Sequence, residues 1–350
     1  MDHIGIDLGA KHSHVAIVGA KGNLLSCRRI RTERLRAFFA KRERSMIVME
    51  ACTQSRAVSR MALASNHEVR VVPGHLVRTL GVGARGIKTD DRDAQSLALA
   101  SARLGELQGV HLRSDESVSR KELLATRQAL VSARSSFAAA CKSWLRGRIL
   151  SVRGRASSRH FAEAFRRLAA SHDEEIPLAI ETLLEAYEDL CEKIERLDAE
   201  LEELSHCDPV VERLMSMPGV GPVVATAFKA HVDDPRRFAT SAELGSYLAV
   251  VPGEATTGGK IRRTGTIRAG CRYLKSLLIQ AAWSMWRCRP TDPLVAWARA
   301  LADRRGKRIA IVALARKISY VLWAMWKNAE TYDPSRASTF RPGTAVPMAA

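Results

Sequence analysis

An α/β domain followed by an all-helical region is the fold class this sequence predicts, and three observations carry it. Residues 3–30 hold three short β-rich runs, including HIGIDLGA and HVAIV, with Lys21-Gly22-Asn23 as a hairpin turn. Helical and strand patterns then alternate up to about residue 115, which gives a mixed sheet flanked by helices. From residue 119 onward the apolar spacing is helical.

The elements follow in order. A basic amphipathic helix (Glu33 to Arg44) leads to a short strand, Met46 to Met49, that ends at Glu50. A helix from about Ser55 to Ser65 precedes a strand at Val69 to Val72, stopped by Pro73-Gly74. The glycine-broken GVGARG loop then precedes a helix that starts near Thr89 and runs to Leu104. These elements make a first domain, 1–115.

Residues 116–207 read as a helical linker: a long helix at 119–147, the basic stretch LRGRILSVRGRASSRH, and a heptad seam. Ile180, Leu183, Tyr187, Leu190, Ile194, Leu197, Leu201 and Leu204 repeat with alternating gaps of three and four, the signature of a coiled coil. The seam pairs either with helix 119–147 of its own chain or with another subunit; neither orientation nor copy number is written in it.

Residues 208–332 form a third, compact helical region, and 333–350, rich in Pro, Ser, Thr and Ala, a disordered tail. This region opens with VVERLMSMPGVGPVVATAF, two apolar helices joined by a PGVGP turn. That pattern matches a helix–hairpin–helix, in which Gly219 and Gly221 let backbone amides approach a DNA phosphate; an ordinary interhelical turn is the plainer reading. Five of the six tryptophans fall between 283 and 326 and read as core, with Trp286, beside Arg287 and Arg289, as either core or base-stacking platform.

Charge narrows the partner. The chain has 55 Lys plus Arg against 37 Asp plus Glu, a net charge of +18 that attracts a polyanion through counterion release. Its seven cysteines (27, 52, 141, 191, 207, 271 and 288) form no C-x-x-C pair, which argues against a zinc site or disulfide frame and for a reducing cytosol. Asp2, His3 and Asp7 argue against a signal peptide. The apolar stretch Ile309 to Trp326 is interrupted by Arg316 and Lys317, which predicts a packed helix and no membrane span.

Four acids carry the chemistry. Asp7 and Glu50 each close an apolar run, so each stands at a strand end on the rim of the sheet. Asp90 and Asp93, in KTDDRDA, share one helical face, while Asp91 points away from it. This is the set an RNase H-like nuclease needs: together the four bind divalent cations that clamp the attacking and leaving oxygens of a phosphodiester. A second constellation lies in 246–279. Lys260, Arg262, Arg263, Arg268, Arg272 and Lys275 surround glycines 258, 259, 265 and 270 in a loop, just after the hydroxyls of Thr256 and Thr257. A hydroxyl there could attack a phosphodiester while the arginines steady the developing charge, or the segment could grip phosphate without chemistry.

The strings IGIDLGAKHSHVAIV, VMEACTQS, GIKTDDRDAQSLA, LMSMPGVGPVVA and LAVVPGEATTGGKIRRTGTIRAGCRYLKSLLIQAA resemble the DEDD transposases of bacterial insertion sequences, the family that includes the pilin-gene invertases. The resemblance covers the chain from residue 3 to about 325. It implies a DNA recombinase with an RNase H-like (resolvase-like) N-terminal domain, a central coiled coil and an all-α transposase domain. It also implies Mg²⁺ or Mn²⁺ on Asp7, Glu50, Asp90 and Asp93, and cytoplasmic, nucleoid-associated action on DNA. Some members are guided by a structured RNA of their own element, and assembly as a homodimer or homotetramer goes through the coiled coil. The family's nucleophilic serine falls at Thr257, a departure that adds a methyl beside the attacking oxygen. Ala249 and Cys271 stand where the family more often has glycine and asparagine.

Three other readings compete. IGIDLGA also resembles the first phosphate loop of actin-like ATPases and sugar kinases, but a second such loop and an adenosine site are missing from the sequence. A transposase-derived DNA- or RNA-binding protein that has lost strand transfer would keep the charge. A Holliday-junction nuclease would use the acids and ignore Thr257.

Overall fold

The computed structural model describes residues 1–79, 89–104, 107–152, 159–254, 263–267 and 270–337. The chain divides into two compact units, Met1–Arg113 and Ser114–Ala350.

The first unit is built on strands β1 (His3–Asp7), β2 (His12–Val18), β3 (Leu24–Arg31), β4 (Met46–Glu50) and β5 (Glu68–Val72). Their order across the sheet is β3-β2-β1-β4-β5, with β1, β2 and β3 antiparallel and β1, β4 and β5 parallel. The predicted hairpin turn forms, with Gly22 at φ +80°. Helices α1 (Leu35–Ala40), α2 (Ser55–Ala64), α3 (Gly74–Thr79) and α4 (Asp90–Arg103) complete the unit. The helix predicted from Glu33 is shorter; β5 stops at Val72 before Pro73-Gly74 as predicted, and α3, which was not predicted, begins there; the predicted GVGARG loop lies outside the described residues.

Period-two alternation sorts the central strands between two layers. Ile4, Ile6, Ile47 and Met49 meet Leu35, Phe39, Val58 and Ala62 of α1 and α2. On the other face Ala16 and Val18 meet Ala94 and Ala98 of α4, and Met46 and Val48 meet Leu97. Both faces of β4 are therefore covered, which is why MIVM reads as an unbroken apolar run. At Gly5 the layers come closest: a Cβ there would lie 2.1 Å from the Ala94 carbonyl oxygen and 2.6 Å from the Ala98 nitrogen.

The second unit, among its described residues, is helical apart from one short ribbon. Helices α5 (Asp115–Arg146), α6 (Phe161–Ala170), α7 (Leu178–His206), α8 (Pro209–Met215), α9 (Pro222–Val232) and α10 (Ser241–Tyr247) lead to the ribbon β6 (Pro252–Glu254) and β7 (Arg263–Thr266). Helices α11 (Arg272–Cys288), α12 (Pro293–Arg305) and α13 (Lys307–Asn328) follow. The heptad seam finds its partner in its own chain. Arg127 forks onto Asp198 and Arg134 reaches Cys191, so α5 and α7 run antiparallel. The buried stripe of α7 is Leu184, Tyr187, Cys191, Ile194, Leu201 and Ser205, offset by one residue from part of the predicted seam, and Leu183, Leu190, Leu197 and Leu204 lie half-buried beside it. Helix α6, which follows the basic stretch and was not foreseen, adds Phe161 and Phe165 to a small core with Leu145, Leu184 and Tyr187.

The rest of the unit packs around α13. This helix is long and apolar enough to cross a membrane, yet most of it is buried, with Trp323, Leu314 and Ile318 in the largest core. Its Lys317 keeps an ammonium 4.1 Å from the ring centre of Trp297, where burial lowers the ammonium's pKa.

Candidate functional site

Strand pairing brings the first two acids together. Ile6 of β1 is opposite Met49 of β4, so one step further along the parallel pair Asp7 and Glu50 leave the sheet as neighbours at its rim. Helix α4 supplies the other two: Thr89 starts it, and Asp90, Asp91 and Asp93 crowd its first turn, where the helix dipole favours negative charge. The bare Cα of Gly5 lets that helix lie directly on β1. Gly74 makes similar room, since a Cβ there would meet Glu50 Oε1 at 2.5 Å.

Electrostatics record the crowding. Burial pushes the Asp7 carboxyl above the usual carboxylate range; Asp90, Asp93 and Glu50 push it further, and only His14 opposes them. Asp93 is buried, and its Oδ1 has no hydrogen-bond partner. Four hard carboxylates, one orphaned oxygen and mutual repulsion suit a divalent cation. Among the described residues no three acid, histidine or cysteine side chains meet closely enough to hold a metal.

His14 is part of this site and went unnoticed in the sequence. It faces Asp7 across the β1–β2 register, its Nδ1 lies 2.6 Å from Asp91 Oδ1, and its Nε2 lies 3.6 Å from Asp90 Oδ2. Asp91 therefore does not point away from the site as predicted: α4 lies over β2, and the histidine draws Asp91 to the edge of the acid group. That hydrogen bond holds the Asp91 carboxyl below its ordinary range. The signal was available in principle, since residue 14 pairs with residue 7 in any tight β1–β2 hairpin.

The same unit carries a basic cleft of about 580 Å³ beside edge strand β3, lined by Arg28, Arg29, Arg31, Arg34, Phe38 and Lys41. The guanidinium groups of Arg28 and Arg42 sit 5.1 and 4.5 Å from the centre of the Phe38 ring.

In the second unit, the PGVGP turn joins α8 to α9 as predicted, but its two glycines differ. Gly219, at φ +85°, faces α11: a Cβ would lie 2.5 Å from the Ala281 oxygen, so packing explains this glycine. Gly221 caps α9 and has open space around its Cα. A groove of about 640 Å³ beside the turn is lined by Gly219, Val224, Gln280, Trp283, Ser284 and Arg287. Trp286 is half-buried, and the cations of Arg299 and Lys307 stand 5.5 and 5.6 Å from its ring centre.

Thr257, with Thr256, Lys260, Arg262 and Arg268, lies outside the described residues. What is described of that segment is a ribbon, β6 paired antiparallel with β7, in place of the simple loop predicted; Arg263 opens β7 and Gly265 lies within it. Arg272 is exposed in the first turn of α11, and Lys275, half-buried, has its ammonium pKa lowered by burial. Ala249 adopts φ +56°, a left-handed conformation that favours glycine, the residue the resemblance implied at this position.

Known proteins match this sequence along most of its length. A family model described as a transposase, of the DEDD IS110 type, matches residues 4–148, and one described as "Transposase IS116/IS110/IS902 family" matches residues 211–295. A probable family 20 transposase of Pseudomonas aeruginosa is 28% identical over 95% of this chain and 99% of its own length. The transposase of insertion sequence element IS1328 from Yersinia enterocolitica is 27% identical over 94% of this chain and 98% of its own. That of IS1111A from Coxiella burnetii is 26% identical over 94% and 90%. With acids at the rim of a mixed sheet, a helical unit after it and both family models in sequence, the chain belongs to the IS110/IS116 family of DEDD insertion-sequence transposases.

Proposed function

We propose that the protein cleaves and rejoins DNA strands with the acid site and the hydroxyl of Thr257. One observation carries the reading: Asp7, Glu50, Asp90 and Asp93, four acids from three separate elements, crowd one rim closely enough that the first is pushed up by the others. The strand order with a covering helix supports an RNase H-like domain, and a homodimer or homotetramer would assemble on the outer faces of the α5–α7 pair, whose seam closes within the chain. Residues 1–115 act as the catalytic domain, 116–207 as the assembly region and 208–332 as the transposase domain.

Asp7, Glu50, Asp90 and Asp93 would hold Mg²⁺ or Mn²⁺, which when bound supplies Lewis-acid polarisation of the scissile phosphate. Asp93, buried and with an oxygen unpartnered, would offer that oxygen to the ion. Asp91 stays on His14 and so is kept out of the ligand set. The Thr257 oxygen attacks phosphorus, its proton passes to water, and a deoxyribose oxygen leaves, joining protein to DNA until a second strand end displaces the threonine. Lys260, Arg262, Arg263, Arg268, Arg272 and Lys275 neutralise the phosphates, and the free amides at Gly221 and the start of α9 grip the backbone as a helix–hairpin–helix does. The arginine cleft beside β3 offers a second polyanion surface, suited to a guide RNA encoded by the element. Such a protein works in the cytoplasm on the nucleoid.

The test is strand exchange on DNA carrying the element's ends, with RNA recovered from the native host added. Wild type is expected to cleave only with Mg²⁺ or Mn²⁺, T257S to retain activity, and T257A and Asp93→Asn to lose it. Undiminished cleavage by T257A would remove the nucleophile and leave a junction nuclease; no cleavage under any metal would leave a nucleic-acid-binding relic.

A further inference from the structure

We propose that Cys271 is a reversible S-thiolation site, at which a low-molecular-weight disulfide such as glutathione disulfide switches off DNA engagement by the adjoining basic segment. The observation is a Cys–His dyad built by two helices. Cys271 is the N-cap of α11, a helix of 17 residues, and its Sγ lies 3.1 Å from Nε2 of His231 on α9. His231 is buried, and its Nδ1 lies 2.8 Å from the carbonyl oxygen of Ala227, which can only accept. Nδ1 therefore carries a proton, and Nε2 is left to take the thiol proton and stabilise the thiolate as an imidazolium.

The surroundings favour that charge. Burial alone would raise the thiol, but the bond to His231 and the backbone N–H groups of Leu274 and Tyr273 outweigh it and hold Cys271 at about 7. The other ionisable groups nearby include Arg272, next in sequence, Tyr247, whose hydroxyl donates to the His231 carbonyl oxygen at 2.9 Å, and the Tyr273 hydroxyl, itself raised by burial, with Arg127 and Asp198 beyond it. A thiol whose pKa sits near ambient pH is the best attacker in disulfide exchange. Among the remaining cysteines, Cys141 and Cys191 are buried in the α5–α7 core, and Cys27 is raised by burial and by Asp91.

In the exchange, the Cys271 thiolate attacks one sulfur of the disulfide. A new S–S bond forms, the old one breaks, and the departing sulfur leaves as a thiolate that takes the proton from His231. Cys271 is oxidised and the released thiol is the reduced product, so no other reactant is needed. A glutathionyl group then sits one residue from Arg272, adding carboxylates beside cations that would otherwise meet phosphate. The regulatory part rests on the reading of 246–279 as a DNA-engaging segment; the reactivity of the thiol does not.

The experiment has two arms on the full-length protein. Iodoacetamide labelling with peptide mapping, run from pH 5 to 10, is expected to give Cys271 a rate midpoint near 7, more than one pH unit below those of the exposed Cys52, Cys207 and Cys288. A midpoint that coincides with theirs overturns the proposal. DNA affinity is then measured before and after glutathione disulfide. An order-of-magnitude loss that dithiothreitol reverses, and that is absent in Cys271→Ser and in the cap-preserving Cys271→Asn, supports it. An adduct on Cys271 that leaves affinity unchanged overturns the switch, as does an equal loss in the variants. If reduced protein binds no DNA while the low midpoint persists, the failure lies with the DNA-binding reading, and the regulation falls with it.

Discussion

Two partly desolvated acids, one in each unit, are treated in opposite ways. In the helical unit, Asp208 caps α8 by accepting from Val210 N and also receives Arg120 and Lys229, each 2.5 Å away. Burial would raise this carboxyl, yet the two cations pull it below its ordinary value. In the sheet unit, Asp7 is raised by burial and by three other acids against one histidine. A carboxylate that holds structure together is compensated by the protein itself; a group whose charge is left standing costs folding energy and is kept for something positive from outside.

The largest test of that contrast is Asp208→Ala. Leaving buried Arg120 and half-buried Lys229 with only the exposed Glu116 as an acid partner should cost up to about 3–5 kcal/mol in urea unfolding, and a loss below about 1 kcal/mol would break the comparison. The sign with pH follows from the lowered folded value. The Asp208 contribution is complete above the unfolded carboxylate value, about 3.9, and disappears as pH falls through the folded one. Wild type should therefore lose more stability than the variant on acidification below about pH 4.

Gly5→Ala comes next. Its methyl would press on the Ala94 carbonyl, forcing α4 and its acids off β1, at about 1–3 kcal/mol and with loss of any metal response. Asp7→Asn should move the other way. Without divalent ions it removes repulsion and gains up to about 1 kcal/mol, roughly 2–4 °C in melting temperature. Wild type, at 100 times its dissociation constant for Mg²⁺, should gain about 2.7 kcal/mol and the variant little. A destabilised Asp7→Asn would mean that the acids are not in conflict. The smallest effect belongs to His14→Ala, whose exposed partner Asp91 limits the stability change to about 0.2–1 kcal/mol. Its sharper readout is the midpoint of the Mg²⁺ titration, which should shift if Asp91 joins the ligand set.

Much of this was legible beforehand because it depends on period. The short apolar runs HIGIDLGA and MIVME set the strands, and a strand's end places Asp7 and Glu50 at the rim whatever the sheet packs against. The i, i+3 spacing put Asp90 and Asp93 in one helical turn. The seam of α7 was visible too, but heptads state that a helix is apolar on one side without naming the partner; Arg127–Asp198 and Arg134–Cys191 do so, 71 and 57 residues apart in sequence.

The sequence by itself determined the elements, their apolar faces and the acids that end them, because these follow from spacings within about ten residues. Only the tertiary structure decided which groups meet. It set Gly219 against α11, drew Asp91 onto His14 from 77 residues away, surrounded Asp208 with two cations and aimed His231 at Cys271. Those outcomes depend on the distance and orientation of side chains carried by different elements. A spacing along one element encodes neither, and a change of about one ångström decides whether a hydrogen bond or an ion pair forms.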